Sequence, residues 1–396
     1  MTGALDGIRV LDLSRHLAGP TCAMMLGDLG AEVLKVERPG DGDETRQWGP
    51  PFVGGESTYY LCCNRHKRSL TLNLKHERGV AIARDLARQS DVLIENFRVD
   101  GLDELGLGDA DLRPLNPRLI TCSITGFGQT GPDRHLGGYD FMIQGRGGLM
   151  SITGERDGPP LKVGVAVVDV ATALFACNAV LAALFARERT GLGQRLDLAL
   201  FDSEIALLAN VGSSYLCSGQ VPERWSNAHA SIVPYQAFHA SDGHLILAIG
   251  NDTQWQRFCA ASGVPAWAGD PRFATNPSRV AHREALVPLL EDLFPQRTVA
   301  QWLRLCADAD VPAGPVNALD AVFADPQALA RGMLVSMPHP TAGTVRLTGT
   351  PLHLSDNPAQ MRLPPPLLGE HTDDILARLL GLDERAIADL RRDGVI

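Results

Sequence analysis

Asp169 is the only charged residue between Val163 and Ala186, a run otherwise made of small and apolar side chains. If a long helix opens there, Asp169 is its N-cap or lies in its first turn, where backbone amides and the helix dipole favour the ionised form. An ionised, partly desolvated carboxylate can act as a covalent nucleophile. The same position also suits a plain helix cap. Upstream, Tyr139, Asp140 and Gln144 precede the glycine-rich run Gly145-Arg146-Gly147-Gly148. They read either as a helix start and a turn, or as polar groups around a substrate carboxylate.

A second group of residues could hold an anion. Arg38 follows an apolar run, and a group at the C-terminal end of a parallel strand faces the crevice where ligands bind. Asn64-Arg65-His66-Lys67-Arg68 precede a third apolar run and Lys75 follows it. Together they form a candidate cradle for phosphate or carboxylate, or else a solvated face. Asn96, Phe97 and Arg98 come just past a fourth run, where an amide, a ring and a guanidinium could clamp a nucleotide; alternatively Phe97 is core. Gly126-Phe127-Gly128-Gln129-Thr130-Gly131 fits the GxGxxG spacing after a strand. A dinucleotide fingerprint needs a helix at the third glycine and an acidic residue about 20 further on. Here Pro132 follows at once and Ser151 occupies the later position, so an active-site loop is the better reading.

The elements that must position these groups follow from periodicity. Residues 8–14, 31–37, 70–74, 91–97, 118–127 and 195–200 read as strands, with helices at 21–29, 79–88, 170–187 and 201–217 between them. Strands alternating with helices imply a parallel α/β sheet covered on both faces. Runs at 235–239 and 244–249 around Ser-Asp-Gly read as a hairpin. Helices near 252–262, 281–293 and 298–308 complete a smaller α/β region. Short strands, a Pro364-Pro365-Pro366 link and two terminal helices follow. The expected division is 1–220 for a large domain, 225–325 for a small α/β domain and 326–396 for a return to the large one.

The 396 residues carry 36 basic against 46 acidic side chains, a net charge of −10, which argues against a general nucleic-acid binder. Hydrophobic residues at 45% suit a globular chain, not a disordered one. The eight cysteines are scattered with no Cys-x-x-Cys pair, and neither an HExxH sequence nor an EF-hand loop occurs. Neither a disulfide framework nor a metal site is expected, and the composition suits the cytoplasm. The first residues lack the pattern of a signal peptide. The uncharged run 170–186 is at the lower edge of a membrane span but reads as a buried helix.

Taken together, the motifs resemble the family III CoA-transferases. The likeness rests on Ala18-Gly19-Pro20, Gly27-Asp28-Leu29-Gly30-Ala31-Glu32-Val33, Lys35-Val36-Glu37-Arg38-Pro39-Gly40, Asn64-Arg65-His66-Lys67-Arg68-Ser69, Glu95-Asn96-Phe97, Ser123-Ile124-Thr125-Gly126-Phe127-Gly128 and Val311-Pro312-Ala313-Gly314-Pro315-Val316-Asn317. The resemblance implies that Asp169 is the catalytic aspartate. It puts CoA contacts at His16, Leu17, Ala18, Arg38, Leu72, Lys75, Asn96 and Phe97. It implies a large Rossmann-like domain whose parallel sheet is formed by both chain ends, a smaller α/β domain, and an interlocked homodimer. No tightly bound cofactor is implied; a CoA thioester is a substrate. Trp48–Tyr60 and Ala228–Phe238 look like the succinyl-CoA:glutarate branch, which implies a dicarboxylate acceptor. Its carboxylate could meet Arg46, Tyr139, Gln144 or His229. A racemase of the same fold looks like carrying a histidine where this chain has Tyr139, and tyrosine is a poor base at neutral pH. Outside this fold, a nucleotide-binding oxidoreductase and a silent CoA-binding scaffold are the remaining alternatives.

Overall fold

The computed structural model describes residues 3–396, which form two compact units. The first takes the chain up to Leu149, Val163–Ser218 and Pro326–Ile396. The second takes Met150–Lys162 and Gly219–Asp325. The segment 150–162, expected in the large domain, therefore clusters with the second unit.

Six strands make the sheet of the first unit: β1 (Arg9–Asp12), β2 (Glu32–Glu37), β3 (Lys67–Thr71), β4 (Val92–Glu95), β5 (Ile120–Thr125) and β6 (Arg195–Ala199). All pairs are parallel, in the order β3-β2-β1-β4-β5-β6. This is the doubly wound order, whose direction reverses between β1 and β4; ligands bind beyond the strand C-termini at such a switch point.

Both faces of a parallel sheet must be covered. Alternate residues supply the two cores, as strand geometry requires. Val10, Val33, Ile94 and Cys122 face helices α1 (Ala18–Asp28) and α4 (Val167–Thr190). Leu11, Leu34, Leu70 and Leu93 face the other way. There they meet Ile82, Ala83 and Leu86 of α2 (Glu77–Arg88), and Ile375, Leu376, Ile387 and Leu390 of the helices Thr372–Leu380 and Glu384–Arg392.

The expectation that both chain ends form the sheet needs correction. All six strands come from residues 9–199. The C-terminal return supplies an antiparallel pair, Leu334–His339 with Gly343–Thr348, and the two covering helices. Leucine-rich amphipathic helices satisfy the second face without a further strand.

Helix α4 is long and apolar enough to span a membrane, but half of its most apolar window is buried within the protein. One side of it is core, as expected of a buried helix, while Val170, Leu174, Phe175 and Phe185 on it are exposed. In the second unit, three antiparallel strands, Tyr235–His239, His244–Ala248 and Ala313–Pro315, pack through a stacked aromatic core of Phe238, Phe258, Phe294 and Trp302.

Charges buried near the strand ends correct a second expectation. The third strand starts at Lys67 and not at Leu70, which draws the basic run 64–68 inward. Lys67 Nζ donates to Asp12 Oδ2 at 2.9 Å, with neither side chain exposed. Lys35 Nζ donates to Asp43 Oδ2 at 2.9 Å and to the Ser14 carbonyl at 3.0 Å. Arg65 makes a two-pronged pair with Asp28. The run is internal counter-charge, not a phosphate cradle; only Arg68, paired with Asp374, is partly open. Burial disfavours the Asp12 carboxylate, yet Lys67 and Lys35 hold its pKa below the ordinary value. Replacing Lys67 with Met strands that carboxylate in the interior. Urea unfolding of Lys67→Met should show a loss of about 3–5 kcal/mol. A loss within about 0.5 kcal/mol, the level of an ordinary surface substitution, would show that the pair does not support the fold.

Candidate active site

At the switch point, a crevice of about 230 Å³ opens beyond β1 and β4. It is lined by His16, Leu17 and Ala18 from the β1–α1 turn, by Asn96 and Phe97 after β4, and by Gly126, Gly137, Gly138, Tyr139 and Asp169. The fold thus gathers Asp169, one predicted substrate contact and five of the predicted CoA contacts into one cavity.

The wall at β1 is fixed by side chains that reach its backbone. Asn96 Nδ2 donates to the Arg15 carbonyl at 2.8 Å, and Asn96 Oδ1 accepts the Arg15 amide at 2.9 Å. Asp43 Oδ1 accepts the His16 amide at 3.3 Å. His16 needs this support because its φ of 69° lies in the left-handed region. The His16 ring stacks on Trp48 with centroids 5.3 Å apart and lies 6.0 Å from Tyr139. Tyr59 meets Trp48 edge-on at 5.0 Å. Burial disfavours the imidazolium and lowers the His16 pKa despite Asp43 and Glu44.

The opposite wall is the start of α4. Asp169 lies in the first turn but does not cap the helix. The N-cap is Ala166, which has no capping side chain. The cap comes from α3 (Asp140–Arg146): Asp140 Oδ1 accepts the Val168 amide at 2.8 Å and the Asp169 amide at 3.4 Å. Its Oδ2 accepts Gln144 Nε2 at 2.6 Å, and Gln144 Oε1 accepts the Val163 amide at 2.9 Å.

The expected lowering of the Asp169 pKa by helix amides therefore fails, because Asp140 already occupies them. Burial first, and the like charge of Asp140 second, push the Asp169 carboxyl up to about 7. Burial and the charges of Asp169 and Asp140 push Tyr59 well above its ordinary value. Such a carboxylate is basic and poorly solvated, as a nucleophile should be.

Other predicted residues lie elsewhere. Arg38 is at the end of β2, exposed and 3.0 Å from Asp41. Lys75 is exposed beyond β3, and Leu72 is core. Strands β1–β4 are parallel, so these residues share the C-terminal edge of the sheet with the crevice. Arg46 is not a free carboxylate partner. Its guanidinium forks onto both Glu37 oxygens at 2.8 Å, bonds Tyr60 Oη at 2.6 Å and lies over the Tyr60 ring. Gln144 is fully buried and holds Asp140 instead of facing a substrate. His229 belongs to the second unit, where its Nδ1 accepts the Ser231 amide at 3.0 Å and its ring tilts against Tyr235. The sequence reading missed Asp140 as the cap, Trp48 as the stacking partner of His16, and Tyr59 as the edge-on neighbour of Trp48. The GxGxxG glycines form a loop: a Cβ on Gly126 would come within 2.7 Å of the Gly138 amide nitrogen, and no helix follows until Asp140.

The model of CoA-transferase family III matches residues 5–372. The chain belongs to that family, and the class is a CoA-transferase. It is 47% identical to the succinyl-CoA:glutarate CoA-transferase of Mus musculus, covering 99% of this chain and 90% of that protein. It is also 47% identical to the succinate–glutarate CoA-transferase of Agrobacterium fabrum, covering 96% and 97% of the two chains. The crystal structure of a CAIB/BAIF family protein from Brucella suis superposes with a TM-score of 0.87 at 46% identity, over 96% of this chain and all of that one.

Asp169 should weaken the fold where it is ionised. Its folded pKa lies above its unfolded one, so its favourable contribution is present at low pH and is lost as pH rises through about 7. Asp169→Asn should therefore melt a few degrees above the native protein at pH 8, and the difference should shrink as pH falls below 7 and close only near pH 4, the ordinary carboxyl value. Equal melting at both pH values would contradict the raised pKa.

Proposed function

We propose that the protein moves CoA from succinyl-CoA to glutarate or a similar dicarboxylate, with Asp169 as the covalent nucleophile. The observation that carries the mechanism is the carboxylate of Asp169, half-buried in a crevice at the sheet's ligand-binding edge with its pKa up near 7. The names of the full-length relatives support the substrate pair.

Asp169 attacks the donor thioester carbonyl, the C–S bond breaks, and a mixed anhydride and CoA thiolate form. The thiolate attacks the aspartyl carbonyl, giving an aspartyl-CoA thioester and succinate, which leaves with the bridging oxygen of Asp169. The acceptor carboxylate then attacks the aspartyl thioester and releases thiolate. Attack of the thiolate on the acceptor acyl carbon gives the new acyl-CoA and free Asp169. Each tetrahedral species needs donors for its oxyanion. The amides of Gly137 and Gly138 line the crevice, and among the described residues neither has an acceptor. Water excluded from such a site cannot hydrolyse the anhydride. Arg134 brings a guanidinium to the rim, suited to anionic substrates, and its Nε donates to His135 Nε2 at 3.0 Å.

CoA in this reading lies along the edge marked by His16, Leu17, Ala18, Arg38, Leu72, Lys75, Asn96 and Phe97. Among the proposed acceptor contacts, Tyr139 lines the crevice beside Asp169. The protein works as a homodimer in which a second copy covers the exposed apolar side of α4; Leu174, Phe175 and Phe185 there support this. Its eight free thiols suit the cytoplasm.

Purified protein given succinyl-CoA and glutarate, without ATP or metal, should form glutaryl-CoA by mass spectrometry, and Asp169→Asn should form none. With pH, kcat/KM should rise as Asp169 ionises and level off above about 7. Equal turnover by the variant would remove Asp169 from the mechanism. Native turnover of other acid pairs alone would overturn the substrate assignment.

A further inference from the structure

We propose that Asp140 is the positioning residue of the nucleophile: it ties the first turn of α4 to α3, aims Asp169 into the crevice, and opposes the free carboxylate with its own. This deepens the reading of Asp169 as nucleophile and rests on it.

The two carboxylates have the same formal charge but unequal partners. Asp140 accepts from the Val168 and Asp169 amides and from Gln144 Nε2. Asp169 is given no hydrogen bond to its carboxylate by any described residue. The helix terminus therefore satisfies the charge of Asp140 and leaves that of Asp169 exposed to repulsion. Acylation removes the charge on Asp169 and relieves that repulsion, so the arrangement favours the anhydride and the thioester over the resting carboxylate. Gln144 completes the device from the next turn of α3. It is fully buried and bridges Asp140 to the Val163 amide, spanning the loop that leads into α4.

Other groups facing the pair do not substitute for this. Tyr59, on the neighbouring helix Thr58–Cys62, is held neutral. Glu204, on the helix Leu200–Leu207, accepts the Leu149 amide at 3.1 Å, and its burial raises its pKa. His16 lines the crevice with a lowered pKa. Arg98 is paired with Glu104, and Arg134 lies 3.7 Å from Asp100.

The test is the pH dependence of kcat/KM for succinyl-CoA, from about pH 5.5 to 9, in the native protein, Asp140→Asn and Gln144→Met, with melting curves for each. Asparagine keeps an oxygen for the α4 amides and loses the charge. Its acidic limb should move down by roughly one pH unit, and its plateau should fall because a less basic carboxylate attacks more slowly. Gln144→Met removes an amide dipole that partly screens the Asp140 charge from Asp169, so its limb should move up. A limb within about 0.2 unit of the native one in both variants, whether or not they melt lower, would overturn the proposal and leave Asp140 a structural cap. Should Asp140→Asn fail to fold, Gln144→Met alone decides by the same criterion. Exchange by Asp169→Asn in the same series would instead defeat the nucleophile reading.

Discussion

The site depends on the cost of holding one carboxylate away from water beside another. Asp169 faces a crevice that solvates it poorly, and Asp140 takes the helix amides that would otherwise have stabilised it. A free surface aspartate would be a weak nucleophile at neutral pH. A carboxylate whose proton leaves only near pH 7 is more basic and better suited to attack an acyl carbon. The destabilisation is local, and the surrounding fold must hold it in place.

The sheet supplies that support. Reversal of the strand order between β1 and β4, which run parallel, leaves a gap at the carboxyl edge, and α1, α4 and the loops after β4 and β5 close around it. The loops would be mobile if held by their own backbone alone. Buried charges prevent this: Lys35 holds the Ser14 carbonyl and Asp43, Asp43 holds the His16 amide, and Asn96 clasps Arg15 from the far side of the switch. Taking Lys35 out of water is opposed by burial, but Asp43 and Asp12 keep it firmly protonated. Removing either member of such a pair strands the other, which makes the floor of the crevice rigid.

Much of this was legible in the sequence. Alternating apolar runs located the strands within a few residues, and the uncharged stretch around Asp169 marked the long helix. Three features were not legible, for physical reasons. The start of β3 is hidden because Lys67 and Arg65 look like surface residues until Asp12 and Asp28 are brought beside them. Arg46 looked available because Glu37, which neutralises it, lies on another element. Asp140 carries no mark of its capping role because an interaction across nearly thirty residues leaves no spacing signal. In each case a charged residue was assigned by its own type, while its role is set by a partner distant in sequence.

The account's central claim is that Asp169 carries the acyl group, and oxygen labelling tests it directly. In the proposed sequence each turnover leaves one oxygen of the acceptor carboxylate on Asp169. Protein turned over with succinyl-CoA and ¹⁸O-labelled glutarate should then carry a heavy oxygen only in the peptide containing Asp169. An unlabelled Asp169 after glutaryl-CoA has formed, or a label on another residue, would contradict the account.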